Sequence, residues 1–329
     1  MTIVDCKVKA AEIFVVEALR GWVKIEESLP GDLWLLSSFL ECSFPNSISE
    51  ALQKLQTVEE KLRMMSIREV LESDQWLFRY SVLVLLLIAP PVYISCRFIT
   101  APFGKHVRPG WGPTISPPLA WFLMESPAIW LTLLLFPFGR NSSNPLAQIL
   151  MSPYLLHYTH RTIVYPLRLY LTSDPRKAAA GFPVSVALMA FTFNILNAYL
   201  QTRWVSHYAD YEGDALFWWR FACGMAVFLA GMAVNVWADK VLLRLKSEGG
   251  GYKIPRGGLY EYVSCPNYFG EILEWLGWFL MTWSTAGFAF FLFTCANLMP
   301  RAWSHRGWYL EKFGEDYPRK RKAVIPFLY

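Results

Sequence analysis

The stretch LFRYSVLVLLLIAPPVYISCRFI, residues 77–99, decides the fold. It stays predominantly apolar over the roughly 20 residues that a helix needs to cross a bilayer. Six further stretches of this kind follow, at 117–136, 146–170, 182–201, 217–237, 268–283 and 286–300, and the last two are close enough to form a tight hairpin. The expected fold is all-α and polytopic: a bundle of seven transmembrane helices over residues 77–329, preceded by a non-membrane segment at 1–76. Composition agrees, with 54% hydrophobic, 16% aromatic and only 17% charged residues in a chain of 329, against roughly 25% charged in soluble domains. Disorder, collagen and coiled coil are excluded on the same grounds.

Charge divides the chain. Residues 1–76 carry 8 basic and 13 acidic side chains, net −5, and the remainder carries 23 and 13, net +10. The hydrophobic part is therefore the basic part, which suits cytosolic loops near anionic headgroups or a site for an anionic cofactor better than a nucleic-acid surface. Lys105, Arg108, Arg176, Lys177, Lys240, Arg244, Lys246, Lys253, Arg256, Arg301, Arg306, Lys312 and the run at 319–322 fall in the loops after spans one, three and five and in the tail. The opposite loops hold little more than Arg140 and Arg203, so the C-terminus is expected in the cytosol. The first segment shows no signal peptide, since Lys7, Glu12, Glu17 and Arg20 interrupt its apolar runs. It has partial helical periodicity near 13–23 and 49–71. Six scattered cysteines without a C-x-x-C pair support neither a disulfide framework nor a zinc site.

Polar residues inside this apolar chain mark the candidate site. The third span contains His157, Tyr158, His160, Arg161 and Arg168, too polar for lipid and expected to face the bundle interior or a cavity. In SCPNYFGEILEWLGW, residues 264–278, Asn267, Glu271 and Glu274 share one helical face, and Asn235 and Asp239 repeat the i, i+4 pattern at the end of span five. The glycine-rich, basic KSEGGGYKIPRGGLY at 246–260 can wrap an anionic ligand, although it is neither a Rossmann turn nor a P-loop. His157 and His160 form an H-x-x-H pair. Five histidines in all are too few for a membrane di-iron centre, and no metal is expected. Glu125, inside WFLMESPAIW, has no surface role to explain it.

Five segments together resemble the steroid 5α-reductases, nearest the plant members of the brassinosteroid pathway. They are WGPTISPPLAWFLMESPAIW at 111–130, SPYLLHYTHRTIVYPLRL at 152–169, AFTFNILNAYLQTRWVSHY at 190–208, YKIPRGGLYEYVSCPNYFGEILEWLGW at 252–278 and WYLEKFGEDYPRKRKAVIPF at 308–327. The resemblance covers residues 77–329 and leaves the acidic segment outside. It implies NADPH-dependent reduction of the 4,5 double bond of a 3-oxo-Δ4-steroid such as campest-4-en-3-one, in the endoplasmic reticulum membrane. Glu125 and Tyr158 are then expected at the steroid C3 oxygen. Asn235, Asp239, Tyr252, Asn267, Glu271, His305, Tyr309 and Arg321 are expected to line the cofactor site, with Arg161, Lys246 and Arg301 near its phosphates. Met124 and Lys246 stand where animal relatives often carry glutamine and arginine. An enoyl-thioester reductase, a membrane methyltransferase and a transporter are the alternative readings.

Overall fold

The computed structural model describes residues 74–172 and 181–329. The periodic stretches of the acidic segment, and the loop residues Arg176 and Lys177, lie outside the described residues. From Gln75 onward the chain forms one compact unit that is mostly helical.

Helix α1, Gln75–Phe98, packs against the last helix through Phe78, Val82, Leu85 and Ala89. A loop carrying a short 3-10 turn at Gly104–His106 leads to α2, Pro117–Glu125, and α3, Pro127–Leu135. Two prolines open α2 and one opens α3, where a missing N–H costs nothing. The expected single span is continuous in path, with Ser126 still in the helical region, but Pro127 removes one helical N–H just after Glu125.

Helix α4, Pro145–Thr159, is capped by Asn144, whose side chain accepts from the Leu146 amide at 2.9 Å. It runs into a π-turn at His160–Val164 and then α5, Tyr165–Leu171. Pro166 supplies the local reason for the irregularity, because it cannot donate to the carbonyl one turn earlier and its ring crowds that carbonyl. Helix α6, Val184–Arg203, ends in a second π-turn at Trp204–Tyr208.

Helix α7, Phe217–Ser247, and α8, Pro266–Thr282, make the most extensive helix pair. Their seam is lined with glycine: a Cβ on Gly231 would sit 2.5 Å from the Gly270 carbonyl oxygen, and one on Gly277 2.5 Å from that of Gly224. Both pairs are spaced by seven residues, so one face of each helix presents bare backbone to the other. A two-residue link follows. Trp283, in the left-handed conformation, ends α8, and Ser284 accepts from the Gly287 amide at 2.9 Å to open α9, Thr285–Phe313.

The hairpin expected from sequence is present, but helices α7 and α9 extend beyond the apolar runs that announced them. Hydropathy marks where the apolar side chains stop, and the helical backbone continues with polar ones. By length and composition four helices among the described residues can cross a membrane: Gln75–Phe98, Pro117–Phe138, Val184–Tyr208 and Phe217–Ser247. The all-α expectation needs one small correction. Strand β1, Thr114–Ile115, pairs antiparallel with β2, Phe182–Pro183, next to a cluster of Ala120, Met124, Phe182, Val186 and Ala187. Such a short pair, flanked by prolines at 113 and 183, carries no detectable alternation in sequence.

The main core lies where α4, α7, α8 and α9 meet, around Tyr154, Phe228, Trp275, Trp278 and Phe290.

Candidate active site

Helix α6 supplies the scaffold of the site, although none of its residues figured among the expected ones. Asn194, Asn197 and Gln201 fall at i, i+3 and i+7, one amide stripe of a predominantly apolar helix. All three are buried. Asn194 donates through Nδ2 to the Met124 carbonyl at 2.7 Å and to Glu125 Oε2 at 3.2 Å. Tyr158, 3% exposed, accepts from Asn197 Nδ2 at 3.0 Å and donates to Asn194 Oδ1 at 3.4 Å. Glu125 at the end of α2 and Tyr158 on α4 are thereby tied to the same amide.

Arg161 sits in the π-turn one helical turn beyond Tyr158 and is also buried. Its guanidinium lies over the Trp121 ring at 4.4 Å, reaches Asp239 Oδ2 at 3.4 Å, and stands 3.9 Å from Glu125 Oε1. Asp239 accepts in turn from Asn267 Nδ2 at 3.1 Å, and Asn235 donates to the Asn267 main-chain carbonyl at 3.0 Å. The glycine seam makes this last set possible, since a Cβ on Gly270 would lie 2.5 Å from the Asn235 nitrogen. Glu271, half-buried on α8, is a third carboxyl near Arg161, beside Glu125 and Asp239. Glu125, Tyr158, Arg161, Asn235, Asp239, Asn267 and Glu271 therefore form a continuous polar cluster inside an apolar bundle.

Residues 180–329 match the family model described as 3-oxo-5-alpha-steroid 4-dehydrogenase. The steroid 5-alpha-reductase DET2 of Gossypium hirsutum is 65% identical over 259 residues, which are 78% of this chain and 99% of that protein. The chain belongs to the steroid 5-alpha-reductase family. The DET2 protein of Arabidopsis thaliana is 60% identical over 78% of this chain and 98% of its own length, and the 3-oxo-5-alpha-steroid 4-dehydrogenase 1 of Bos taurus 40% identical over 72% and 91%. Membership makes this chain an oxidoreductase, and its helices make it a multi-pass membrane protein.

The remaining expected residues of this steroid 5-alpha-reductase family member fall in three places. His305 and Tyr309 stand on α9 beside the loop after α1. His305 exchanges a hydrogen bond with His106 at 3.1 Å and another with the Tyr268 hydroxyl at 3.1 Å, so it adjoins Asn267 through the neighbouring residue of α8. Tyr309 lies beneath the Lys105 ammonium, 3.8 Å from Nζ to the ring centre, and Tyr252 meets the Trp308 ring edge-on at 4.9 Å. Burial pushes the Lys105 ammonium down to about 8 and, with the charges of Lys105 and Arg108, His106 down to about 4. Arg301 lies over the Phe103 ring at 5.7 Å.

Arg321 and Lys246 are placed differently. Arg321, 1% exposed, donates to the Pro255 carbonyl at 2.9 Å and to Glu261 Oε2 at 3.1 Å. It locks the tail onto the loop before α8, where the 321–324 backbone also pairs with residues 262–265. Its two terminal nitrogens are thus engaged by the protein itself, while its Nε is buried without a hydrogen-bond partner among the described residues, as are those of Arg161 and Arg301. Lys246 is exposed near the end of α7, outside the polar cluster.

Besides the α6 stripe, sequence reasoning missed one pair. His157 Nδ1 meets Glu274 Oε2 at 2.6 Å, with Glu274 fully buried. Both residues stood out as polar, but nothing in their spacing of 117 positions could join them.

Proposed function

We propose that this protein reduces the 4,5 double bond of a 3-oxo-Δ4-steroid with NADPH, in a seven-span bundle of the endoplasmic reticulum membrane whose C-terminus is cytosolic. The observation that carries this reading is the Glu125–Asn194–Tyr158 triad buried at the foot of the Arg161–Asp239–Asn267 cluster. It puts a hydroxyl donor, backed by a carboxylate, next to a set of cationic and amide groups inside an apolar interior.

The residues present suit a phosphate-bearing cofactor. Arg161 Nε and Arg301 Nε are buried and have no hydrogen-bond partner among the described residues, and a buried donor left unsatisfied is costly unless a ligand takes it. Arg161 and Arg301 would hold phosphate oxygens, while Asn235, Asp239, Asn267, Glu271, His305, Tyr252 and Tyr309 would line the nicotinamide and ribose portions. NADPH, when bound, supplies the hydride. Hydride arriving at C5 of the enone sends the electron pair of the double bond toward C4 and the C3 oxygen. Tyr158 donates to that oxygen as its charge grows, and Asn197 donates to the Tyr158 oxygen behind it. Asn194 donates to Glu125 through its nitrogen and accepts from Tyr158 through its oxygen, so both groups are fixed by one amide. A proton taken up at C4 completes the addition of one hydride and one proton. The apolar walls of α2, α4 and α6 keep water away, so each of these dipoles acts in a weakly screening medium. A plant sterol such as campest-4-en-3-one is the proposed substrate, in keeping with the 60–65% identity to plant steroid 5-alpha-reductases.

The test uses the full chain in microsomes or detergent with NADPH or NADH, a 3-oxo-Δ4-steroid, and product mass. An NADPH-dependent gain of two hydrogens is the expected result. No reduction of any enone, with NADPH failing to bind, sinks the proposal.

A further inference from the structure

We propose that Gln201 and Trp278 are positioning residues for this reaction, the origin of a one-way chain of hydrogen bonds that holds Tyr158 as a donor toward the substrate oxygen. The inference rests on the role given to Tyr158 above and deepens it.

Amide oxygen and nitrogen have nearly the same shape, so the direction of an amide is decided by partners that cannot reverse. The chain has such a partner at each decisive point. The Trp278 indole N–H only donates, and it lies 2.8 Å from Gln201 Oε1. The Ala286 main-chain carbonyl only accepts, and it lies 3.1 Å from Gln201 Nε2. The Gln201 amide is thus held from both ends. Its nitrogen also donates to Asn197 Oδ1 at 3.2 Å, which turns the Asn197 nitrogen toward Tyr158 Oη at 3.0 Å.

On the far side of Tyr158 the direction is fixed again. Asn194 Nδ2 faces the Met124 carbonyl, another obligate acceptor, at 2.7 Å. Its Oδ1 is left to receive the Tyr158 proton at 3.4 Å. Every link from α8 through α6 to α4 and on to α2 therefore runs the same way, with one longer side branch from Asn197 Nδ2 to Tyr154 Oη at 3.5 Å. Gln201, Asn197 and Trp278 are all 0% exposed, so no bulk water can take over a reversed link.

The geometry has a chemical consequence. A hydroxyl whose oxygen already receives a hydrogen bond is polarised and donates more strongly. At 3.4 Å the forward bond to Asn194 is the longest link of the chain, the point where a carbonyl oxygen with better geometry takes the proton over. With the chain reversed, Asn197 would offer its oxygen to Tyr158, the hydroxyl would point away from the steroid, and the enone oxygen would face a lone pair.

Three variants of the full chain in detergent test this: Trp278→Phe, Gln201→Met and Gln201→Glu. For each, kcat and KM with a 3-oxo-Δ4-steroid and the Kd for NADPH are measured from about pH 5 to about pH 9, a range on either side of neutral where an introduced carboxyl titrates. Trp278→Phe and Gln201→Met are expected to lower kcat roughly tenfold, the worth of one aligned hydrogen bond, with KM and the Kd for NADPH nearly unchanged. Gln201→Glu carries the decisive readout. An ionised carboxylate there cannot donate to Asn197, whereas a protonated one accepts from Trp278 and has a single O–H to donate, to Asn197 or to the Ala286 carbonyl, where the amide serves both, so the rescue is partial. Its kcat is expected to recover in part as pH falls, relative to the unsubstituted protein at the same pH. A merely structural role moves thermal stability and KM and gives no acid rescue.

Unchanged kcat in Trp278→Phe, or a Gln201→Glu defect of equal size at every pH, overturns the proposal. Should Gln201→Glu not fold, Trp278→Phe and Gln201→Met decide together, the first replacing the buried indole with a smaller ring that has no donor and the second keeping the side chain's length without its amide, so that a loss of kcat common to both reports the link itself. The unsubstituted protein and Tyr158→Phe separate the two levels. Failure of the unsubstituted protein to reduce the enone removes the functional reading itself. Reduction that Tyr158→Phe abolishes and Trp278→Phe leaves intact removes only the positioning chain.

Discussion

At membrane depth, Tyr158 is held by two amides, Asn194 and Asn197, whose directions are set by neighbours. Where the loop after α1 meets α9, Tyr309 is held by the Lys105 ammonium above it and by the Tyr317 ring, stacked at 5.2 Å and 6°. The first arrangement specifies angle and polarity. The second specifies proximity only, because a cation over a ring face tolerates lateral shifts that a hydrogen bond does not. The difference matches the two tasks proposed for the site. Donation to a developing oxyanion depends steeply on orientation, while capture of a flexible, multiply charged cofactor needs charge and a contact surface that can adjust.

The largest expected effects break the oriented region. Tyr158→Phe or Glu125→Gln should cost about 10²-fold or more in turnover, the usual worth of a positioned acid or oxyanion donor, with NADPH affinity largely kept. Product formation by mass and NADPH binding by fluorescence check both halves, and near wild-type turnover in both variants would show the electrophile to be elsewhere. Gly270→Ala should act next, on the platform both regions share. The added methyl meets the α7 backbone, and overpacking of this kind costs about 1–3 kcal/mol. The unfolding midpoint in detergent should fall, and NADPH affinity with it, because Asn235 and Asn267 are pushed apart.

Arg321→Lys addresses the tail latch. A lysine cannot fork to Pro255 and Glu261 together, so faster proteolysis of the tail is expected with turnover per folded molecule little changed. Turnover falling in step with a weaker Kd for NADPH would instead move Arg321 into the cofactor site.

The smallest effect sharpens the adjustable region. Lys105 has its pKa lowered from 10.5 to about 8 in the folded chain, so the folded state gives up its proton first. Below about pH 8 the ammonium is charged in both states and its burial cost is fully present. Between about pH 8 and 10.5 that cost is relieved, and this residue's contribution to stability rises with pH. Tryptophan and tyrosine emission near Trp308 and Tyr309 should change with a midpoint near 8, and Lys105→Arg should remove the transition. Its persistence in that variant would assign it to another group.

Much of this was legible in the sequence. Apolar runs located the helices because burial and lipid exposure both demand them over a helix length. They gave the ends of α7 and α9 poorly, since Asp239 and Lys246, or His305 and Tyr309, lie on helix that hydropathy does not see. The lost N–H after Glu125 was marked by Pro127, but a proline at a helix start and one inside a helix look alike until the chain is folded. Glu125 and Tyr158 stood out as polar residues within apolar spans, and only kinship with a family gave them an expected role. Asn194, Asn197 and Gln201 were missed although a polar stripe at helical spacing was present, because a mean over span four dilutes three amides among apolar neighbours. The His157–Glu274 pair had no local signal at all. Long-range pairings of this kind are set by packing, here by which faces of α4 and α8 the glycine seam leaves available.

That seam also bears on how a steroid enters. Helices α7 and α8 approach closely at Gly224, Gly231, Gly270 and Gly277, where an added Cβ would meet the facing backbone, with the Met281 and Leu273 side chains filling the space beside Gly224 and Gly231. They behave mechanically as a single plate. A movement that admits a rigid four-ring guest is expected where helical hydrogen bonding is interrupted, at Pro127 and in the π-turn before α5, and not along this seam.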